Sequence, residues 1–157
     1  MNRAGQLLSL ARAKGAVIAT AESCTGGMIA AAITDIPGSS DVFDRGFVTY
    51  SNAAKTDMLD VRAETLNAFG AVSEDVAREM ADGALNRSNA NIAVAVTGIA
   101  GPGGSEHKPE GRVCFGLART GAATQVETIE FGAIGRDAVR RATVDYALGM
   151  IIGALDA

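Results

Sequence analysis

Residues 21–27 read AESCTGG, and Ser23 in this stretch is a hydroxyl of the kind that attacks acyl carbons. Cys24, Thr25, Gly26 and Gly27 follow it. An apolar run, GAVIAT, stands before the stretch and MIAAAI after it, so Ser23 falls at a strand-to-helix turn. Backbone amides at a helix N-terminus can hold an anion or a developing oxyanion. The spacing is not the G-x-S-x-G elbow, because Ala21 and Thr25 stand at its glycine positions. Taken alone, the stretch also reads as a capping serine with packing glycines.

A serine nucleophile needs a base. The one histidine, His107, lies in the glycine-rich segment GGSEHKPEG, a poor setting for a Ser–His–Asp triad. A lysine serves when burial or nearby charge lowers its pKa. Of Lys14, Lys55 and Lys108, only Lys55 follows a strand end and enters a helix, which brings it to the edge of the sheet that carries Ser23. Alone it also reads as a solvated helix lysine. Tyr50 precedes it by five residues, one too many for the Tyr-x-x-x-Lys pair of hydride-transfer enzymes. Cys24 is a rival nucleophile, since a helix N-terminus lowers a thiol pKa. Its other reading is a small buried apolar side chain.

The stretch TGIAGPGGSEHKPEG, residues 97–111, is a long stiff loop of the kind that serves as a lid or binding loop. Gly98 and Gly103 imitate a phosphate loop, but Gly104 stands where its lysine belongs, which rules out that class. Thr97 and Gly98 can still offer a hydroxyl and an amide to a ligand. Arg136 and Arg140 share one face of a final helix near its start. Such a pair suits a phosphate or carboxylate clamp, or an ordinary salt-bridged surface.

These residues need a frame. The 157-residue chain, 48% hydrophobic, has enough apolar material for one domain over 1–157. With no Trp and only 4% aromatics, Ala, Val, Ile, Leu and Met must fill the core. Helices are expected over about 2–14, 25–34, 52–59, 63–69 and 136–153, and strands over 16–20, 41–51, 91–97, 112–118 and 124–131. Ser73 caps a further helix, with Glu74 and Asp75 in its first turn. Early alternation with a late hairpin gives an α/β class, a three-layer α/β/α domain with a mixed, mostly parallel five-stranded sheet. Ligands gather at the carboxyl ends of such strands, where both unusual loops begin.

A net charge of −4 without a basic run argues against a general nucleic-acid binder. No run approaches a membrane span, and the first residues lack a signal-peptide core, so the expected place is cytoplasmic. Cys24 and Cys114 fit no metal spacing, so no metal and no cofactor are expected. Ala-rich helical surfaces are compatible with a homo-oligomer.

Together, TAESCTGG, GSSDVFDRGFVTYSNAAK, GAVSEDVA, VTGIAGPGG and KPEGRV resemble the carboxyl-terminal domain of the competence/damage-inducible CinA family in its single-domain form. The resemblance implies a nicotinamide-nucleotide amidohydrolase, which turns nicotinamide mononucleotide and water into nicotinic acid mononucleotide and ammonia. It implies a Ser–Lys mechanism, with the serine at Ser23, the lysine at Lys55, the family tyrosine at Tyr50 and a hydroxyl residue at Thr97. It implies a phosphate contact at Arg136 or Arg140. For that reaction, backbone N–H groups around Thr25, Gly26 and Gly27 are expected to hold the oxyanion, with the Gly98 amide as a further substrate contact. The other reading is a non-catalytic nucleotide-binding or competence/DNA-damage accessory module.

Overall fold

The computed structural model describes residues 2–157. Five strands form one sheet: β1 (Ile18–Glu22), β2 (Phe43–Val48), β3 (Ile92–Gly98), β4 (Arg112–Arg119) and β5 (Gln125–Glu130). Their order is β2-β1-β3-β4-β5. The pairings β2–β1 and β1–β3 are parallel, while β3–β4 and β4–β5 are antiparallel. Four strands therefore run one way and only β4 runs against them. The helices are α1 (Arg3–Lys14), α2 (Met28–Thr34), α3 (Asn52–Leu59), α4 (Ala63–Phe69), α5 (Glu74–Asn86) and α6 (Arg136–Asp156).

Side chains alternate across a strand, so each face of the sheet needs its own cover. In β3, Ile92, Val94 and Val96 enter a core with Leu7, Phe115 and Ile151, beneath α1, α2 and α6. Ala93 and Ala95 face the other way, into a core with Val76, Met80 and Leu59 beneath α3 and α5. The two faces differ in size for a reason. On the α5 side the sheet presents Ala19, Ala21, Ala93, Ala95 and Ala118. Gly116 pairs with Ala95, and a Cβ on it would collide with the Ala77 carbonyl of α5. Small residues let that helix lie close on the sheet.

The ends of the elements follow local chemistry. Gly15 closes α1 in the left-handed region at φ 65°, with its N–H bonded to the carbonyls of Ala11 and Arg12. Ser51 caps α3 by accepting from the Ala54 amide, and Ser73 caps α5 by accepting from Val76. Two boundaries near Ser23 depart from the sequence reading. Strand β1 runs on to Glu22, because Glu22 pairs with both Val48 and Val96. Helix α2 starts at Met28 rather than at residue 25, after Gly26 and Gly27 turn the chain at φ 59° and 108°.

This register positions the site. Val48, Glu22 and Val96 lie side by side at the carboxyl ends of three parallel strands. The next residues stay in line: the Ser23 amide donates to Val96 O, and the Thr49 amide donates to Glu22 O. Ser23 and Thr49 thus leave β1 and β2 beside Thr97, near the end of β3.

Candidate active site

Helix α3 begins just beyond β2, and Lys55 sits one turn into it, pointing inward. The residue is 1% exposed. A lysine so buried needs partners for its three N–H groups. Its Nζ lies 2.9 Å from Ser23 Oγ, 2.9 Å from Thr49 O and 3.1 Å from Tyr50 O. None of these partners is a carboxylate. Burial is the dominant influence and brings Lys55 down from 10.5 to about 8, against smaller opposing effects of Cys24 and Glu106. A neutral amine has two N–H groups and one lone pair. The two carbonyls take the N–H groups, and the lone pair then faces the Ser23 hydroxyl.

The turn that carries Ser23 is held by two opposite charges. On one side is Glu22, almost fully buried. Its carboxylate accepts from the Thr25 hydroxyl at 2.5 Å and from the amides of Ile29 and Ala30 at 2.9 and 3.0 Å. It therefore caps α2, which has no side-chain cap from Gly27. On the other side is Arg140 of α6. Its Nε lies 3.1 Å from Cys24 O and its Nη2 lies 3.4 Å from Thr25 O. The anion binds donors of the turn and the cation binds its acceptors.

Ser23 and Lys55 open onto a cleft of about 310 Å³. Tyr50, Thr97, Gly98 and Arg136 also line it, with much of the 98–111 loop. Arg136 bonds Gly101 O at 2.7 Å and the Tyr50 hydroxyl at 3.2 Å. The Thr97 hydroxyl donates to Ala71 O at 2.8 Å. At Gly98 a Cβ would stand 2.7 Å from Val113 Cγ2, so the bare backbone is needed for β3 to pass β4. The loop is tied down by Lys108, whose Nζ bonds Phe69 O at 2.6 Å and Val72 O at 2.5 Å. Among the described residues, no three His, Cys, Asp or Glu side chains gather as metal ligands do.

The expected residues divide into two sets. Ser23, Lys55, Tyr50, Thr97, Gly98 and Arg136 meet at one cleft. Thr25, Gly26, Gly27 and Arg140 do not line it; they build and clamp the turn behind it. The amides expected to hold an oxyanion are partly spent. Ile29 and Ala30 bind Glu22, Gly26 bonds Ser23 O, and Met28 bonds Thr25 O. His107 lies outside the cleft wall. Cys24 reaches the wall but is 6% exposed, and burial pushes its thiol up to about 11, which keeps it protonated. Glu22 was not expected. Its signal was indirect: α2 has no acid in its first turn and a glycine at its cap, so an acceptor had to come from elsewhere.

The family profile of the CinA C-terminal domain matches residues 2–155. The chain belongs to that family. Within it, the chain is 56% identical to the nicotinamide-nucleotide amidohydrolase PncC of Escherichia coli K12 over 138 residues, which cover 87% of this chain and 83% of that protein. It is 57% identical to a CinA-like protein of Chlorobium phaeobacteroides over 126 residues, 78% of this chain but 30% of that one. Against that CinA-like protein, and against a relative from Symbiobacterium thermophilum of which it covers 36%, the chain spans about a third of the length. Among solved structures, the competence/damage inducible protein CihA of Agrobacterium tumefaciens superposes with a TM-score of 0.89 at 53% identity, over 98% of this chain and 97% of that one. A CinA superfamily protein of Klebsiella pneumoniae reaches 0.92 at 37% identity, over 99% of both chains. The α/β architecture is thus the family's own.

Proposed function

We propose that this CinA-family chain is a nicotinamide-nucleotide amidase, hydrolysing the carboxamide of nicotinamide mononucleotide to nicotinic acid mononucleotide and ammonia. The observation that carries the chemistry is the 2.9 Å contact between Lys55 Nζ and Ser23 Oγ, with both other N–H directions of the amine met by carbonyls. The substrate is supported by the 56% identity to the E. coli enzyme along most of both chains.

Ser23 Oγ attacks the carboxamide carbon, and neutral Lys55 takes its proton. The C–N bond then breaks, the same proton leaves with ammonia, and an acyl-enzyme ester remains on Ser23. Water attacks this ester and gives one proton to Lys55; the ester C–O bond breaks, Lys55 returns that proton to Ser23 Oγ, and the acid leaves and loses its remaining proton to solvent. The oxyanion is assigned to the Cys24 amide. Among the amides of the turn, those of Cys24, Thr25 and Gly27 bond to no other residue, and only Cys24 also lines the cleft. Arg136 is the phosphate contact, because it lines the cleft, whereas Arg140 lies behind it on the turn. Tyr50 steadies Arg136 and lends its carbonyl to Lys55. The setting is taken to be the reduced cytoplasm, where Cys24 and Cys114 stay free thiols.

Ammonia release from nicotinamide mononucleotide tests the reading. Ser23→Ala is expected to lower kcat by roughly a thousandfold or more. Cys24→Ala is expected to keep most of it. Full activity in Ser23→Ala would refute the Ser–Lys assignment. Calorimetric binding without any turnover by the parent protein would favour the accessory-module reading instead.

A further inference from the structure

The 98–111 loop puts one acid on the cleft wall that the dyad does not use. Glu106 lines the same cleft as Ser23, Lys55 and Arg136. Its carboxylate rests over Gly70, where a Cβ would collide with Glu106 Oε2. Lys108 stands 4.0 Å away and is itself fixed by Phe69 O and Val72 O. Among the described residues the Glu106 side chain makes no hydrogen bond, and it is 48% exposed. Lys108 is its ion-pair partner at the long distance of 4.0 Å, so the Glu106 charge is offset only in part. Its charge faces the cleft and is felt at Lys55.

The cleft is therefore two-signed. Arg136 supplies a cation where Gly101 and Tyr50 hold it, and Glu106 supplies an anion close over Gly70 and beside Lys108. A nicotinamide nucleotide is two-signed in the same way, with a phosphate at one end and a quaternary pyridinium nitrogen at the other. The reacting carboxamide is attached one ring atom from that nitrogen. When it meets Ser23, the cationic ring must lie beside the dyad. Lys55, cationic below about pH 8, would repel the ring without a compensating charge.

On the amidase reading above, we infer that Glu106 is a specificity residue, which complements the positive ring and selects oxidised pyridinium nucleotides over neutral carboxamide nucleotides of the same shape. The neutral counterpart is the dihydro form of the same mononucleotide. It keeps the carboxamide, ribose and phosphate, and one hydride added to the ring removes the positive charge.

The test is calorimetry on Ser23→Ala, whose lost turnover allows true dissociation constants for both forms. Ser23→Ala is expected to bind the oxidised form more tightly. Adding Glu106→Gln is expected to cut that preference about fivefold, the upper range for an exposed ion pair, and to leave the dihydro form within about twofold. Equal weakening of both forms, or an unchanged preference, overturns the inference. Ammonia release by the parent protein separates the two failures. Turnover with an unchanged preference sinks only this inference, whereas a parent with no turnover sinks the amidase reading and this inference with it.

Discussion

On the proposed mechanism, Lys55 sets the pH dependence of the rate. As a base it must be neutral, and its pKa is lowered to about 8, chiefly by burial. The rate kcat/KM is therefore expected to rise with pH and level off above about 8; a pH-rate profile checks this. A profile flat from pH about 6 to about 9 would remove Lys55 from the base role. The same shift has a stability sign. Between about 8 and the ordinary 10.5, the unfolded chain holds the Lys55 proton more often than the folded one. Stability contributed at this residue thus rises with pH across that window. Lys55→Met should flatten that rise, as read by denaturant melts at pH about 7.5 and about 10. In the sequence, a strand end brings Lys55 to the same sheet edge as Ser23, and the family resemblance makes them a pair. Neither could reveal the two carbonyls, because Thr49 O and Tyr50 O are aimed by a chain turn and not by residue type.

At the scale of elements, the turn between β1 and α2 depends on Glu22. The carboxylate accepts three bonds in a buried place, two from amides that start α2. Glu22→Ala leaves those amides without an acceptor and is expected to cost about 2–4 kcal/mol, readable by chemical denaturation. Glu22→Gln keeps the volume but turns an NH2 group toward donors, so it should fall between the parent and Glu22→Ala. Most helix ends near the site were legible in the sequence. The bounds of α3 and α4 follow from Ser51 and from apolar spacing, and the start of α5 from Ser73. The start of α2 was less legible for a physical reason. Its cap comes from a residue still inside the preceding strand, so no local pattern marks it. The division of labour between Arg136 and Arg140 was also hidden. Both lie on one face of α6, and only the packed turn of Cys24 and Thr25, which takes Arg140, leaves Arg136 as the one that lines the cleft.

At the scale of the whole molecule, the question is what kind of phosphate compound it can meet. Several relatives carry competence or damage names, which raises DNA as a rival partner. Duplex binding depends on cations free to neutralise many backbone phosphates at once. The net charge here is −4. Of 14 Lys and Arg, eight described residues already sit in ion pairs: Arg3, Arg12, Arg45, Arg62, Arg87, Arg112, Arg141 and Lys108. Lys55 is buried, and Arg140 is spent on a turn. Of the other four, Arg78 and Arg119 bond Thr124 O and Ala154 O, Lys14 ends α1, and Arg136 lines the cleft, suited to one phosphate rather than to a row of them. The protein is therefore expected not to bind a duplex of about 20 base pairs at about 150 mM salt, with fluorescence anisotropy flat up to about 10 µM protein. The mononucleotide should still bind Ser23→Ala under the same conditions. Binding of the duplex at lower protein concentration, weakening steeply with added salt, would mean that the chain exposes a cationic surface these ion pairs do not leave free.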